Sequence, residues 1–263
     1  MSLPTALPRL ARVHAPNAGF DVPAVAYGAG TALFQRPIDA EVKTAAQAGH
    51  TFFDLAEMYQ NTGSAGAGLG AFLQGNSHSP KTGREDVLIL TKIGEGQSDA
   101  YRALQEEIKA LSLPGPASSS SSSSPSPSPS PSPPFDIVLS HYPPRANKAK
   151  NRPSNLTVWR ALERALDEGL TRSIGVSNWL AHDIEELYAA EGEDEDGLKH
   201  APAFNQIEFH PLLASTPQYK ALLPLCKEKG IVIMTYSALV PLTRKSVSSP
   251  SPFASLPCFP LKG

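Results

Sequence analysis

Cysteine is scarce in this chain: there are two in 263 residues, Cys226 and Cys258, and neither lies in a CxxC pair. That excludes a disulfide framework and fits a reducing compartment. An excess of charge of one sign is also lacking, since 23 Lys and Arg against 25 Asp and Glu leave a net charge of −2. Without a basic surplus, no partnership with nucleic acid or an anionic membrane is expected from bulk charge. Long apolar runs are missing too. No stretch of ~18 apolar residues could span a bilayer, and the opening MSLPTALPRLARVHAPNAG holds no apolar core of the signal-peptide kind. A cytoplasmic protein is the expectation. What the chain does have is 41% hydrophobic residues, enough for one sizeable α/β domain.

One stretch is foreign to the rest. Residues 115–134 read GPASSSSSSSPSPSPSPSPP, with almost nothing apolar to bury and prolines that favour extended, solvated backbone. It is expected as a disordered surface insert. The acidic run EGEDEDG at 191–197 reads as a solvated loop, and residues 246–263, rich in Ser and Pro, as an irregular tail. The division that follows is an N-terminal extension over 1–21, a main domain over 22–245 interrupted by 115–134, and the tail.

Between these breaks the pattern alternates. Short β-prone runs occur at Val22–Tyr27, Thr51–Leu55, Val87–Thr91, Phe135–Ser140, Ser173–Val176, Ala203–Glu208 and Ile231–Tyr236. A segment able to form a helix follows each of the first six. Ala100–Leu111 places Leu104, Ile108 and Leu111 on one face. Asn155–Glu168 gathers Val158, Leu162 and Ala165 and stops at Gly169. Pro217–Lys229 carries Tyr219, Leu222, Leu223 and Cys226 and stops at Gly230. Asp39–Ala48 and Leu180–Ala190 are helical by a weaker period. Alternating strand and helix implies parallel strands joined by crossovers. Gly28 and Gly30 follow the first run without the third glycine or the later acidic partner of a dinucleotide fingerprint. A closed (β/α)8-type TIM barrel is therefore expected in preference to an open doubly wound sheet.

In such folds chemistry collects at the carboxyl ends of the strands. Here those ends carry Asp54, Lys92, His141, Ser177 with Asn178, Gln206 with Glu208, and Tyr236 with Ser237. A lone Lys after a strand is usually a surface residue and a lone Asp a helix cap. Their recurrence at the same end of successive strands argues for a site. Glu208 and His210 stand two apart with no third ligand near them in sequence, so a metal is not expected and both are read either as backing the site residues or as structural.

The stretches DLAEMY (54–59), LTK (90–92), DIVLSHYPP (136–144), GLTRSIGVSN (169–178), FNQIEFHPLL (204–213) and TYSALVPL (235–242) resemble the aldo-keto reductase family in order and spacing, over about Val22 to Leu242. The resemblance implies a catalytic tetrad of Asp54, Tyr59, Lys92 and His141. It implies NADPH or NADP as cofactor, with NADH not excluded, and a small carbonyl compound as substrate. Ser177, Asn178 and Gln206 match the family's carboxamide binders, Tyr236 the ring that stacks on nicotinamide, and Ser237 and Leu239 positions that touch the pyrophosphate. Protein partners are not implied.

The chain also departs from the family. Nothing after Leu242 resembles the later loop, eighth strand and last helices, and Arg244, Lys245 and Lys262 do not form the basic pattern that grips the 2′-phosphate. Thr62 stands where the family often has an acid. The expectation is an incomplete barrel of about seven strands with two unpaired edges. Besides an active reductase, an inactive truncated relative and a cofactor-binding regulatory protein are compatible with these residues.

Overall fold

A computed structural model describes residues 11–75, 83–94, 99–113, 132–144, 154–189 and 198–243. The insert at 115–134 up to residue 131, the acidic run, the tail, and Arg244, Lys245 and Lys262 lie outside the described residues.

The chain opens with an antiparallel hairpin, β1 (Arg12–Ala15) and β2 (Phe20–Pro23), register Ala15 to Phe20. Seven parallel strands follow: β3 (Tyr27–Gly28), β4 (Phe52–Asp54), β5 (Leu88–Ile93), β6 (Ile137–Ser140), β7 (Ser173–Ser177), β8 (Phe204–Glu208) and β9 (Val232–Tyr236). They lie side by side in sequence order, and among the described residues β3 and β9 remain the two edges. Helices fill the crossovers: α1 (Asp39–Gln47), α2 (Thr62–Gly75), α3 (Ala100–Leu111), α4 (Asn155–Asp167), α5 (Ala181–Ala189) and α6 (Pro217–Glu228), with a last turn, α7, at Val240–Thr243. Among the described residues this is a curled, open (β/α) sheet of seven strands, as expected for an incomplete TIM-type barrel.

One expected strand is corrected. Val22–Tyr27 is not a single run, because Val22 and Pro23 belong to the hairpin while only Tyr27 and Gly28 enter the barrel. Pro23 supplies no N–H for a ladder, and the chain turns there. Ala15, Val22 and the half-buried Phe20 pack with Phe52, Leu88, Leu90, Ile137, Leu139 and Phe204, which fill the space inside the sheet.

Side chains alternate across each strand, so a second, larger core forms outside. Phe53, Ile89, Val138, Ile174, Val176 and Ile207 meet Leu104, Leu111, Trp159, Leu162 and Leu222 from the helices. Gly169 and Gly230 end α4 and α6 in the left-handed region, at φ 73° and 69°. The glycine-rich α2 forms because packing overrides its weak propensity. A methyl at Gly66 would stand 1.8 Å from the Leu111 carbonyl oxygen, and one at Gly68 2.4 Å from that of Asp39, so bare backbone lets α2 wedge between α1 and α3.

Candidate active site

The inner face of five of the strands, β4, β5, β6, β8 and β9, reads apolar at its base and polar at its carboxyl end. Phe52 precedes Asp54; Leu88 and Leu90 precede Lys92; Ile137 and Leu139 precede His141; Phe204 precedes Gln206; Val232 and Met234 precede Tyr236. A period of two therefore aims all five polar side chains into one mouth.

At its centre lies Lys92, 1% exposed. Its ammonium donates to the Asp54 carboxylate and, at 2.9 Å, to the Leu55 carbonyl oxygen. Nζ also lies 5.0 Å from the centre of the Tyr59 ring. Burial alone would lower the Lys92 pKa, but Asp54 and then Tyr59 outweigh it and the ammonium is held above its usual range. His141 stands across from Tyr59, ring centres 6.1 Å apart at 82°. Burial, followed by the Lys92 charge, drives its imidazole well below the usual histidine range, so it is neutral at pH 7.

Tyr59 is not on a strand. It ends a single helical turn, Glu57–Tyr59, which Gln60 leaves in the left-handed region at φ 53°. Asn61 anchors the loop by donating from Nδ2 to the Ala29 and Leu33 carbonyls at 2.9 and 3.0 Å. Thr62 ties the start of α2 to α3, its hydroxyl donating to Glu107 at 2.7 Å, and Thr91, beside Lys92, donates to the same carboxylate oxygen at 3.5 Å.

The other half of the mouth is a chain of amides and hydroxyls. Gln206 donates from Nε2 to Asp54 Oδ2 at 2.9 Å. Ser177 donates to the Gln206 carbonyl at 2.8 Å, and Asn178 donates to the His141 carbonyl at 2.9 Å and to Ser177 Oγ at 3.1 Å. The Tyr236 hydroxyl donates to Asn178 Oδ1 at 2.7 Å. Burial, then neighbouring Tyr142, holds that phenol well above its ordinary range, so it remains a donor. Asn178 and Ser237, the first residues past β7 and β9, both take left-handed backbone, at φ 63° and 57°, a conformation that non-glycine residues adopt where surroundings impose it.

Thus Asp54, Tyr59, Lys92 and His141 meet on one side, and Ser177, Asn178, Gln206 and Tyr236 meet on the other. Ser237 and Leu239 stand on the exposed loop past β9, Leu239 being 65% exposed. The Glu208 carbonyl accepts from Tyr219 at 2.6 Å. Among the described residues, no three His, Cys, Asp or Glu side chains gather to hold a metal.

Sequence reasoning passed over Asn61 and Glu107. A signal for Glu107 existed, since it shares the apolar stripe Leu104–Leu111 of α3, and a carboxylate on such a stripe needs a buried partner. Asn61 gave none, because an Asn before a helix is usually only a cap.

The sequence matches the model of the Aldo/keto reductase family over residues 30–119 and 133–254. It is 32% identical over 236 residues to an NAD/NADP-dependent indole-3-acetaldehyde reductase of Schizosaccharomyces pombe, a match covering 86% of this chain and 69% of that protein. A D-galacturonate reductase of Hypocrea jecorina is 31% identical over 85% of this chain and 66% of its own. In structure it resembles a Bombyx mori aldo-keto reductase crystallised in complex with NADP, TM-score 0.68 at 28% identity, covering 94% of this chain and 72% of that one.

Proposed function

From the premise that the chain belongs to the aldo/keto reductase family, we propose that it reduces an aldehyde or ketone to the alcohol with NADPH, Tyr59 giving the proton. The observation that carries this reading is the single mouth in which a buried Lys92 ammonium touches both Asp54 and Tyr59 while a neutral His141 faces the same phenol.

Carbonyl reduction needs a hydride at carbon and a proton at oxygen. A phenol is a weak acid, with an unperturbed pKa of ~10. An adjacent ammonium stabilises the phenolate and so eases release of the proton. Asp54 holds Lys92 in place and is itself held by Gln206. The neutral His141 donates a hydrogen bond to the substrate oxygen and orients it towards Tyr59. Once the proton has left, the phenolate is paired with Lys92 until solvent restores it.

The residues present suit a nicotinamide. Ser177, Asn178 and Gln206 offer the mixture of donors and acceptors that a primary carboxamide requires, and Tyr236 offers an aromatic face beside them. Ser237 and Leu239, on the open loop, would meet the pyrophosphate. When bound, the cofactor supplies the hydride. The side chains around it fix which face of the ring meets the carbonyl carbon and keep water from the reacting atoms.

The test is loss of nicotinamide absorbance when purified protein is mixed with NADPH and a reactive aromatic aldehyde. Tyr59→Phe should lower kcat by about 10²-fold or more with little change in NADP affinity. Undiminished turnover by that variant would remove the phenol from the mechanism.

A further inference from the structure

We infer that Gly30 is the seat of Tyr59, a positioning residue whose missing side chain sets where the phenol stands. This rests on the reading of Tyr59 as the acid and goes beyond it. Gly30 belongs to the Gly28–Gly30 pair, which lacks the rest of a nucleotide-binding fingerprint, so that motif does not account for it.

A Cβ built at Gly30 would lie 2.8 Å from Tyr59 Cζ, 3.1 Å from Cε2 and 3.1 Å from the phenol oxygen. The three nearest atoms are thus all at the hydroxyl end of one ring. Backbone conformation does not demand glycine here, since φ is −87° and any L-residue adopts it. Space does. The strand end beneath the ring is fixed: Ala29 N donates to the Asp54 carbonyl at 3.0 Å, Asn61 donates to the Ala29 carbonyl, and Leu33 N donates to that of Gly30 at 3.2 Å. The backbone therefore cannot yield easily, whereas a side-chain tip can.

An added methyl thus acts on the ring. Ordinary van der Waals contact begins near 3.4 Å, so Cζ must retreat by roughly half an ångström or more, away from the position facing Lys92 and His141. A misplacement on the order of 1 Å at reacting groups lowers rates about 10²-fold. Nothing in the carboxamide half of the mouth lies among the three nearest atoms to that methyl, so cofactor binding should be spared.

In the full-length protein, Gly30→Ala should lower kcat at saturating NADPH by roughly 10- to 100-fold. The Kd for NADP+, read by quenching of tryptophan fluorescence, should stay within about two-fold. An unchanged kcat, or a Kd that rises in step with the loss of kcat, overturns the assignment. If Gly30→Ala is insoluble, Gly30→Ala/Tyr59→Ala, which removes the ring that the methyl meets, should recover soluble protein. Failure of that double variant also overturns it. The two readings separate cleanly: an active Tyr59→Phe refutes the acid, while an inactive Tyr59→Phe beside a normal Gly30→Ala refutes the seat.

Discussion

The two rims of the sheet each bury an ion pair, and they use it differently. At the amino-terminal rim, Asp136 accepts from Ile89 N at 2.9 Å, from Arg84 at 2.8 Å and from Arg172 at 3.1 Å. The same Arg84 also donates to the Pro133 and Pro134 carbonyls, and Arg172 lies over the Phe20 ring at 4.4 Å. Together these contacts tie four elements to one another: the approach to β5, the approach to β6, the start of β7 and the hairpin. At the carboxyl-terminal rim, Lys92 instead connects Asp54 to a phenol that ends in the mouth. One cluster spends its charge on holding elements together. The other keeps a protonatable group beside a charge. The same chemistry becomes structural or reactive according to whether all its partners serve to tie elements together or one of them is a side chain open to a ligand.

The largest effect expected from breaking this contrast is on the structural side. Asp136→Ala takes the carboxylate from two guanidinium groups and the Ile89 N–H, although Arg84 keeps the Val87, Pro133 and Pro134 carbonyls. Removing one member of a buried pair costs about 3–5 kcal/mol, and the lower end applies because the Arg84 and Arg172 side chains are 17% and 42% exposed and can rehydrate. The urea midpoint should fall accordingly while kcat per folded molecule holds. A kcat that drops in proportion to stability would mean the rims are not separable.

Only the reactive half of this contrast was legible from residue order; the Arg84–Asp136–Arg172 cluster, which joins residues 36 to 52 apart, left no local pattern. The alternation within LILTKI and IVLS, with Lys92 and His141 at their ends, sends apolar groups inward low on the sheet and polar ones inward at the top, and no tertiary knowledge is needed to see it. The ends of α1, α3, α4 and α6 and the start of α5 also agree with the periodicity to within a residue; the Asp99 and Ser154 caps and the glycines after α4 and α6 mark four of them locally. Two more features were not legible. The hairpin at 12–23 is stabilised by the underside of the barrel, which only exists once distant strands pair. The Thr62–Glu107–Thr91 tie joins residues 45 and 16 apart in sequence, and hydrogen bonds of that range leave no local pattern. Thr62, a departure from the family's usual acid, gains sense only when α3 is seen to bring a carboxylate to it.

A smaller effect should appear in how stability depends on pH at the mouth. The folded His141 pKa is lowered, by burial first and Lys92 second, whereas the unfolded imidazole titrates near ~6.5. Between those values the unfolded chain binds the proton and the folded chain does not, so stability rises with pH across that window. Urea midpoints should therefore decline as pH falls below about 6.5, and His141→Gln should flatten that part of the slope. A variant with the wild-type slope would place the proton uptake elsewhere.

The smallest effect, and the sharpest test of the contrast, comes from Glu107, which accepts from Thr91 beside Lys92 yet ties α3 to the start of α2. Burial raises its pKa; the Thr62 hydrogen bond lowers it in part, and nearby Glu57 raises it again. The folded state therefore holds this proton to higher pH than the unfolded state. Between the unfolded value of ~4.5 and the raised folded one, stability is lost as pH rises, the reverse of His141. Glu107→Gln keeps a carbonyl oxygen for the Thr62 hydroxyl and never ionises. Its urea midpoint should exceed that of the wild type at pH 8 and converge with it by pH 4, while kcat stays within about two-fold because the tie to α2 survives. If the two proteins differ equally at both pH values, the carboxylate is not being buried in its charged form and the tie is a neutral hydrogen bond. If kcat collapses, Glu107 belongs with the reactive cluster at the mouth, and the division drawn between the two kinds of buried charge fails at this residue.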